Sequence, residues 1–169
     1  MKKANVFYAA IAGAFVRSLP SKFVEMENDA AMRIMGVDFG DSRIGVAVSD
    51  PLCWTAQGLD TIQWRGSMER PAEQIKQLTL QYDVEKIVIG LPKNMNGTIG
   101  PSGEKAMEFG ELLARATGLE IIKWDERLTT VAANRMMHEV GMKTSKKKGS
   151  VDRIAAVLIL QGYLDSRVK

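Results

Sequence analysis

The chain has few of the residues that build covalent or thiolate-based sites. Cys53 is the single cysteine among 169 residues, so an internal disulfide cannot form and a thiolate metal cluster is excluded. The single histidine, His138, is assigned to the surface of a helix that already has an apolar side. Internal repeats, low-complexity tracts and a P-loop glycine pattern are also missing. These absences suit a reducing, cytoplasmic environment.

The chain also lacks a hydrophobic run long enough for a membrane span. The apolar stretch 4–16 follows two lysines but is too short to cross a bilayer. Residues 17–31 are polar and contain Pro20, which is typical of a linker. We therefore predict an N-terminal extension over 1–31, a domain over 32–169 and no membrane partner. A peripheral helix and an export signal are the second and third interpretations of the extension.

From Met32 onward, strand-like and helix-like segments alternate. A chain of this length suits one compact domain with a sizeable core. The pattern predicts strands over 34–37, 43–48, 58–63, 86–91 and 119–124, and helices over 67–82, 104–117, 129–141 and from 151 onward. The order predicts an α/β fold in which helices cover the faces of a mixed five-stranded sheet.

The first predicted strand ends in an aspartate. The apolar run 34–37 leads to Asp38, a glycine-containing turn follows over 40–42, and a second run over 43–48 leads to Asp50. This pattern is typical of two strands joined by a tight turn. Asp41 is explained by turn chemistry, but Asp38 lies within the strand, where a carboxylate is costly unless something pairs with it. Asp38 is therefore predicted to hold a metal ion or to face a phosphate.

Other acids occupy comparable positions. Asp125 and Glu126 follow the last strand, and Asp152 begins the final helix. The carboxyl ends of strands in an α/β sheet can bring such residues together. Carboxylates are preferred ligands of Mg²⁺ and Mn²⁺, and two such ions can hold the attacking water and the leaving oxygen of a phosphodiester. The pattern predicts a two-ion Mg²⁺ or Mn²⁺ site.

Each of these acids also has an ordinary structural explanation. The helix dipole alone favours Asp152 in a first turn. Asp125 and Glu126 could form surface ion pairs with Arg127 or Lys123. Only the coincidence of the three locations favours the metal hypothesis.

Basic residues lie close to the predicted site. The segment 142–149 contains four lysines and precedes Asp152 directly. Such charges bind phosphate backbones through counterion release, although a charge run is usually a solvated loop. Lys93, in the loop after the fourth strand, could bind a phosphate or a flipped-out nucleotide. The three tryptophans are interpreted as packing residues.

The motifs together resemble those of the YqgF/RuvX family of Holliday-junction-resolvase-like proteins. The resemblance covers Met32 to the C-terminus. It rests on four ordered motifs: Asp38-x-Gly40-x-x-Arg43-x-Gly45-x-Ala47-x-x-Asp50, GLPKNMNGT over 90–98, DERLTT over 125–130, and Val151-Asp152 followed by Ala155-Ala156. It implies an RNase H-like fold and a nuclease proposed to mature the small-subunit ribosomal RNA precursor.

The resemblance also implies roles for individual residues. Asp38 would bridge two Mg²⁺ ions, one acid of the Asp125–Glu126 pair would bind one ion, and Asp152 would complete the other side. Glu126 is preferred for its longer reach, but strand alternation puts the two acids on opposite faces and the sequence leaves Asp125 as the alternative. Arg127 would orient an acid or contact a phosphate. The predicted nucleic-acid contacts are Arg43, Lys93, Asn94, Arg127, Lys146, Lys147 and Lys148.

The first functional hypothesis is a metal-dependent endonuclease that processes pre-16S ribosomal RNA, with branched DNA as another substrate, acting in the cytoplasm as a monomer or homodimer. The second is a non-catalytic nucleic-acid-binding factor in ribosome assembly or transcription. The third, an ATPase of the actin and sugar-kinase type, needs a second half-molecule for which the chain is too short. Related junction resolvases carry a glutamate near Lys93 and Asn94, so the ligand set here differs from theirs.

Overall fold

The computed structural model describes residues 32–127 and 148–167. The described elements are, in chain order, β1 (Arg33–Phe39), β2 (Arg43–Ser49), β3 (Ala56–Gly58), β4 (Ile62–Gln63), α1 (Glu69–Gln81), β5 (Val84–Leu91), α2 (Pro101–Thr117), β6 (Glu120–Asp125) and α3 (Lys148–Arg167). The predicted extension over 1–31, the predicted helix over 129–141 and His138 lie outside the described residues.

The strands form one mixed sheet, as predicted. Its order is β3-β2-β1-β5-β6, with β4 also paired to β2. β1, β5 and β6 run parallel, whereas β2 is antiparallel to β1, β3 and β4. The parallel strands end at the same edge of the sheet, so the turn after β1 and the chain after β6 emerge on one side.

The predicted third strand over 58–63 is two short strands. Ala47 pairs with Gly58, whereas Ile44 pairs with Ile62. Ala47 and Ile44 are three residues apart in β2, whereas their partners Gly58 and Ile62 are four residues apart. The neighbouring segment therefore has one extra residue, which interrupts the pairing as a β-bulge does. The sheet thus has six strands where the sequence predicted five.

The sheet has a buried core on each face. Alternation along β1 sends Met35, Val37 and Phe39 to one face, where α1 and α2 pack, and Ile34 to the other, where α3 packs. The first core is completed by residues such as Ile75, Ile89, Phe109 and Leu113, and the second by Ala47, Val88, Ala156, Ile159, Leu160 and Leu164. Gly36 and Asp38 follow Ile34 onto the α3 face.

Glycines allow α3 to lie directly against the strand backbones. A Cβ atom on Gly36 would lie 2.7 Å from Leu160 Cβ. A Cβ on Gly45 would lie 2.1 Å from the main-chain oxygen of Asp152. Any side chain at these positions would push the helix away, so the glycines set the close approach of α3 to β1 and β2.

The helix ends differ from the prediction by a few residues. α2 begins at Pro101 rather than near residue 104, and ends as predicted at Gly118, whose φ of 72° is left-handed. Met68, not Ser67, precedes the first turn of α1. α3 begins at Lys148 rather than after Ser150, so part of the predicted lysine loop is helical.

Two of the three tryptophans pack as predicted. Trp64 lies 5.1 Å from the Phe39 ring, and Trp124 meets Tyr163 edge-on at 5.8 Å. The prediction is wrong for Trp54, which is 73% exposed on a loop after β2. No helix within 32–127 or 148–167 has the length and apolar character needed to cross a membrane.

Candidate active site

Asp38 lies beside the first turns of α3. It pairs in the sheet with Gly45, the residue against which the main chain of Asp152 packs. Burial, and after it the negative charge of Asp152, raise the pKa of the Asp38 carboxyl to about 6. The packing of α3 therefore brings the Asp38 and Asp152 carboxylates onto the same face of the sheet, close enough for their charges to repel.

Glu126 lies on the same face of the sheet as Asp38 and comes from the β6 side. It follows the last residue of β6, and its Oε1 lies 2.5 Å from the position that a Cβ on Gly90 would take. The same Cβ position is 2.5 Å from Ile159 of α3, so Glu126 extends over β5 on the α3 face. Burial, and after it the charges of Asp38 and Asp125, raise the pKa of the Glu126 carboxyl to about 7.

Asp125 is held by cations. Arg127 donates Nε to Oδ1 at 3.0 Å and Nη2 to Oδ2 at 2.7 Å, and Lys93 Nζ lies 3.2 Å from Oδ2. The Arg127 side chain, followed by its backbone N–H and Lys93, keeps the pKa of Asp125 well below its usual range. Adjacent in sequence, Asp125 and Glu126 thus differ in surroundings: Asp125 is neutralised by two cations, and Glu126 shares a negative environment with Asp38.

Asp152 has one buried oxygen that accepts no hydrogen bond. Arg43 Nε lies 3.0 Å from Oδ2, but neither this nor any other described donor is aligned to hydrogen-bond to that oxygen. A buried carboxylate oxygen without a hydrogen bond is costly. The Arg43 charge balances part of that cost, and a carboxylate oxygen is also a ligand that a divalent cation prefers.

The three carboxylates fit a divalent cation in their chemistry. They supply hard oxygen donors, as Mg²⁺ and Mn²⁺ prefer. A positive ion would relieve their mutual repulsion and would coordinate the Asp152 oxygen that accepts no hydrogen bond. Within the described residues no three acidic, histidine or cysteine side chains are already close enough to enclose an ion. Binding would therefore require these side chains to close around it.

The predicted nucleic-acid contacts are arranged in three ways. Arg43, Lys93 and Arg127 pair with acids of the site. Asn94 instead shapes the loop after β5, because its Nδ2 donates to Thr98 Oγ1 at 2.8 Å. Lys146 and Lys147 lie outside the described residues, as does the side chain of Lys148.

Asp50 lies away from the acid site and stabilises a loop. Its Oδ1 accepts hydrogen bonds from the backbone of Trp54 at 2.7 Å and Thr55 at 2.8 Å. These bonds, that from Thr55 foremost, lower the pKa of the carboxyl. Asp50 shapes the loop after β2, at the end of that strand remote from the turn that follows Asp38.

Sequence reasoning missed the positioning role of the glycines. Gly36, Gly45 and Gly90 all lie where α3 or Glu126 would collide with a Cβ. The available signal was their spacing: Gly36 lies two positions before Asp38, and Gly45 two positions before Ala47, on the same faces of their strands.

Comparisons with known proteins agree with this architecture. Residues 32–166 match the model of the family described as RuvX, Holliday junction resolvase. A protein of Acetivibrio thermocellus named "Putative pre-16S rRNA nuclease" is 60% identical over 139 residues, which cover 82% of this chain and 99% of that protein. A protein of the same name from Clostridium botulinum Eklund 17B is 57% identical, covering 79% of this chain and 97% of that protein.

Solved structures resemble the chain at low identity. RuvC of T. thermophilus in complex with a Holliday junction superposes with a TM-score of 0.53 at 14% identity, covering 80% of this chain and 96% of RuvC. A second T. thermophilus RuvC structure gives a TM-score of 0.54 at 13% identity, covering 80% and 97%. At this identity the likeness shows the fold, which is RNase H-like. With the family model matched over 32–166, the chain belongs to the RuvX family.

Proposed function

We propose that this protein is a metal-dependent endonuclease that acts on structured nucleic acid, and that its substrate is the precursor of 16S ribosomal RNA. The observation that carries the proposal is the grouping of Asp38, Glu126 and Asp152 on the α3 face of the sheet. The pKa values of Asp38 and Glu126 are raised by burial and by neighbouring carboxylates. Perturbed acids grouped at one sheet edge are typical of a reaction centre. Because ribosomal RNA is processed in the cytoplasm of a bacterium, a cytoplasmic location is part of this proposal.

Asp38, Glu126 and Asp152 would hold one or two Mg²⁺ or Mn²⁺ ions. Such ions would polarise the phosphodiester and supply a nucleophilic water. Arg43 orients Asp152 through their 3.0 Å contact. Asp125, in this proposal, is not a metal ligand but the anchor of Lys93 and Arg127, which it holds beside the acids where a phosphate of the substrate would lie.

The choice of substrate rests on the relatives, which are named for pre-16S rRNA. Branched DNA is the second candidate because the family description names a Holliday junction resolvase. Lys93 pairs with Asp125 after β5, near the place where junction resolvases carry a glutamate. That difference in the ligand set favours RNA processing over junction resolution. A non-catalytic binding factor remains the alternative from another functional class.

The test is cleavage of a pre-16S RNA fragment and of a four-way DNA junction with Mg²⁺, with Mn²⁺ and with excess chelator. We expect the chelator to abolish cleavage, and Asp38→Asn and Asp152→Asn to reduce it by at least about 100-fold. Asp41→Asn is the matched control, because Asp41 is an exposed turn residue paired with Lys105 at 2.9 Å.

Equal cleavage by the parent, Asp38→Asn and Asp152→Asn would refute the proposed site. If the parent binds the RNA but cleaves neither substrate with either metal, the binding-factor alternative is correct. Circular dichroism of each variant shows whether a lost activity reflects a lost fold.

A further inference from the structure

An open pocket of about 650 Å³ lies between the start of β2, β4 and the N-terminus of α1. It is lined by Ser42, Arg43, Gln63, Trp64, Arg65, Ser67, Arg70 and Pro71. Arg43 belongs both to this lining and to the acid site, through its ion pair with Asp152. Arg43 is therefore the residue that the pocket and the acid site share.

The lining carries three arginines and no acid. Within the described part of the chain, Arg65 and Arg70 form no ion pair, whereas Arg43, Lys93 and Arg127 do. The nearest acid in sequence, Glu69, accepts a hydrogen bond from Ser67 Oγ. The pocket thus holds guanidinium groups whose charge is not matched by a described carboxylate, and guanidinium is well suited to bind phosphate through two parallel hydrogen bonds.

The pocket has a fixed aromatic wall. Trp64 Nε1 donates to the main-chain oxygen of Gly40 at 2.9 Å, and its ring lies 5.1 Å from that of Phe39. Gly40 is two residues after Asp38, so the wall is tied to the strand end that carries the acid. An aromatic ring beside arginines is typical of surfaces on which single-stranded nucleotides stack.

We propose that this pocket binds a backbone phosphate of the nucleic acid, at a nucleotide flanking the one held by the acids, with Arg65 and Arg70 contacting the phosphate and Trp64 contacting its base or sugar. This inference rests on the proposed function, because it assumes a nucleic-acid substrate. It extends that function by adding a second contact region on the β2 and β4 side of the sheet, away from Lys93 and Arg127.

The test compares Arg65→Gln/Arg70→Gln with a charge-matched control, Arg115→Gln/Lys123→Gln. The control removes two exposed cations from α2 and β6, at the other edge of the sheet. Binding of a labelled RNA hairpin with single-stranded tails is measured in the Asp38→Asn background across a salt series. We expect the pocket variant to weaken binding about 10-fold or more and to lower the salt slope by about 1 to 2, and the control to change either little.

Equal weakening by both double variants would show a non-specific loss of charge and would overturn the proposal, as would no weakening by the pocket variant. A DNA hairpin of the same design forms the second arm, since both polymers share the phosphate chemistry. Inorganic phosphate forms the third. If phosphate competes with RNA equally well in parent and pocket variant, the pocket does not hold the phosphate.

Cleavage separates this proposal from the proposed function. If the parent cleaves, we expect the pocket variant to raise KM about 10-fold with kcat nearly unchanged, because its contacts are remote from the reacting bond. If neither the parent nor any variant cleaves, but the pocket variant still binds RNA more weakly than the control variant, the nuclease proposal fails and the proposal of a phosphate-binding pocket is supported. If the pocket variant cleaves with an unaltered KM, the pocket proposal is refuted and the nuclease proposal stands.

Discussion

Gly45 and Asp152 are in closer contact than any other residue at position 45 would allow. A Cβ at position 45 would lie 2.1 Å from the main-chain oxygen of Asp152, well inside van der Waals contact. Because Gly45 is also the sheet partner of Asp38, this contact controls the separation of the two acids. A residue without a side chain at position 45 is thus needed to bring Asp152 close to Asp38.

We expect Gly45→Ala to displace the start of α3, because the added methyl group meets main-chain atoms that cannot rotate away. Such overpacking costs about 1–3 kcal/mol of the free energy of unfolding, and the displacement should reduce cleavage more than the loss of folded protein explains. Denaturant unfolding and the cleavage rate of the folded fraction measure the two effects.

Gly110→Ala is the control for this substitution. Its Cβ would lie 3.5 Å from Ile121 Cγ2, an ordinary contact, and alanine favours the helix by about 1 kcal/mol. A Gly45→Ala protein as stable and active as the Gly110→Ala protein would show that the Gly45 contact does not position α3.

The stability of the metal-free protein should decrease as pH rises from about 5 to about 8. Unfolded carboxyl groups lose their protons near pH 4, whereas folded Asp38 and Glu126 keep theirs to about pH 6 and about pH 7. In this window the folded state binds more protons than the unfolded state, so the free energy of unfolding falls with pH. Thermal melts in chelator across the pH range measure the slope.

Glu126→Gln and Asp38→Asn should each flatten this dependence, since neither amide titrates. The lowered pKa of Asp125 acts below the ordinary carboxyl range and does not affect the window. An unchanged slope in the Asp38→Asn/Glu126→Gln protein would contradict the electrostatic coupling described for the site.

Asp125→Asn and Glu126→Gln should have different effects although the residues are adjacent. Asp125→Asn weakens the hold on Lys93 and Arg127, so it should change nucleic-acid affinity several-fold and leave Mn²⁺ affinity nearly unaltered. Glu126→Gln should lower Mn²⁺ affinity about 10-fold or more, because an amide is a poorer ligand for a hard cation. Calorimetry with Mn²⁺ and an RNA-binding assay separate them, and a reversed pattern would make Asp125 the metal ligand.

Asp50→Ala should lower the melting temperature and leave the cleavage rate of the folded protein unaltered. The change removes an acceptor for the N–H groups of Trp54 and Thr55. These hydrogen bonds order a loop that is remote from the acids. Asp50→Asn keeps an acceptor oxygen and should be the milder change. Loss of cleavage in both variants, with the fold intact, would place Asp50 in the reaction centre instead.

Much of the architecture could be predicted from local patterns. The apolar runs of β1, β2 and β5 predicted the mixed sheet, and the family motifs predicted the RuvX relationship; both predictions are confirmed. The third strand could not be predicted in detail, because its interruption arises from one extra residue opposite β2. Local propensity carries no information about that register.

The sequence by itself determined that acids stand at the end of β1, after β6 and near the start of α3, since strand and helix boundaries follow from nearby residues. Only the tertiary structure decided which of the paired acids faces Asp38. Glu126 extends over Gly90 toward α3, while Asp125 is held by Lys93 and Arg127. The reason is physical: a side chain at a strand end is directed by the elements packed around it, and those come from distant parts of the chain.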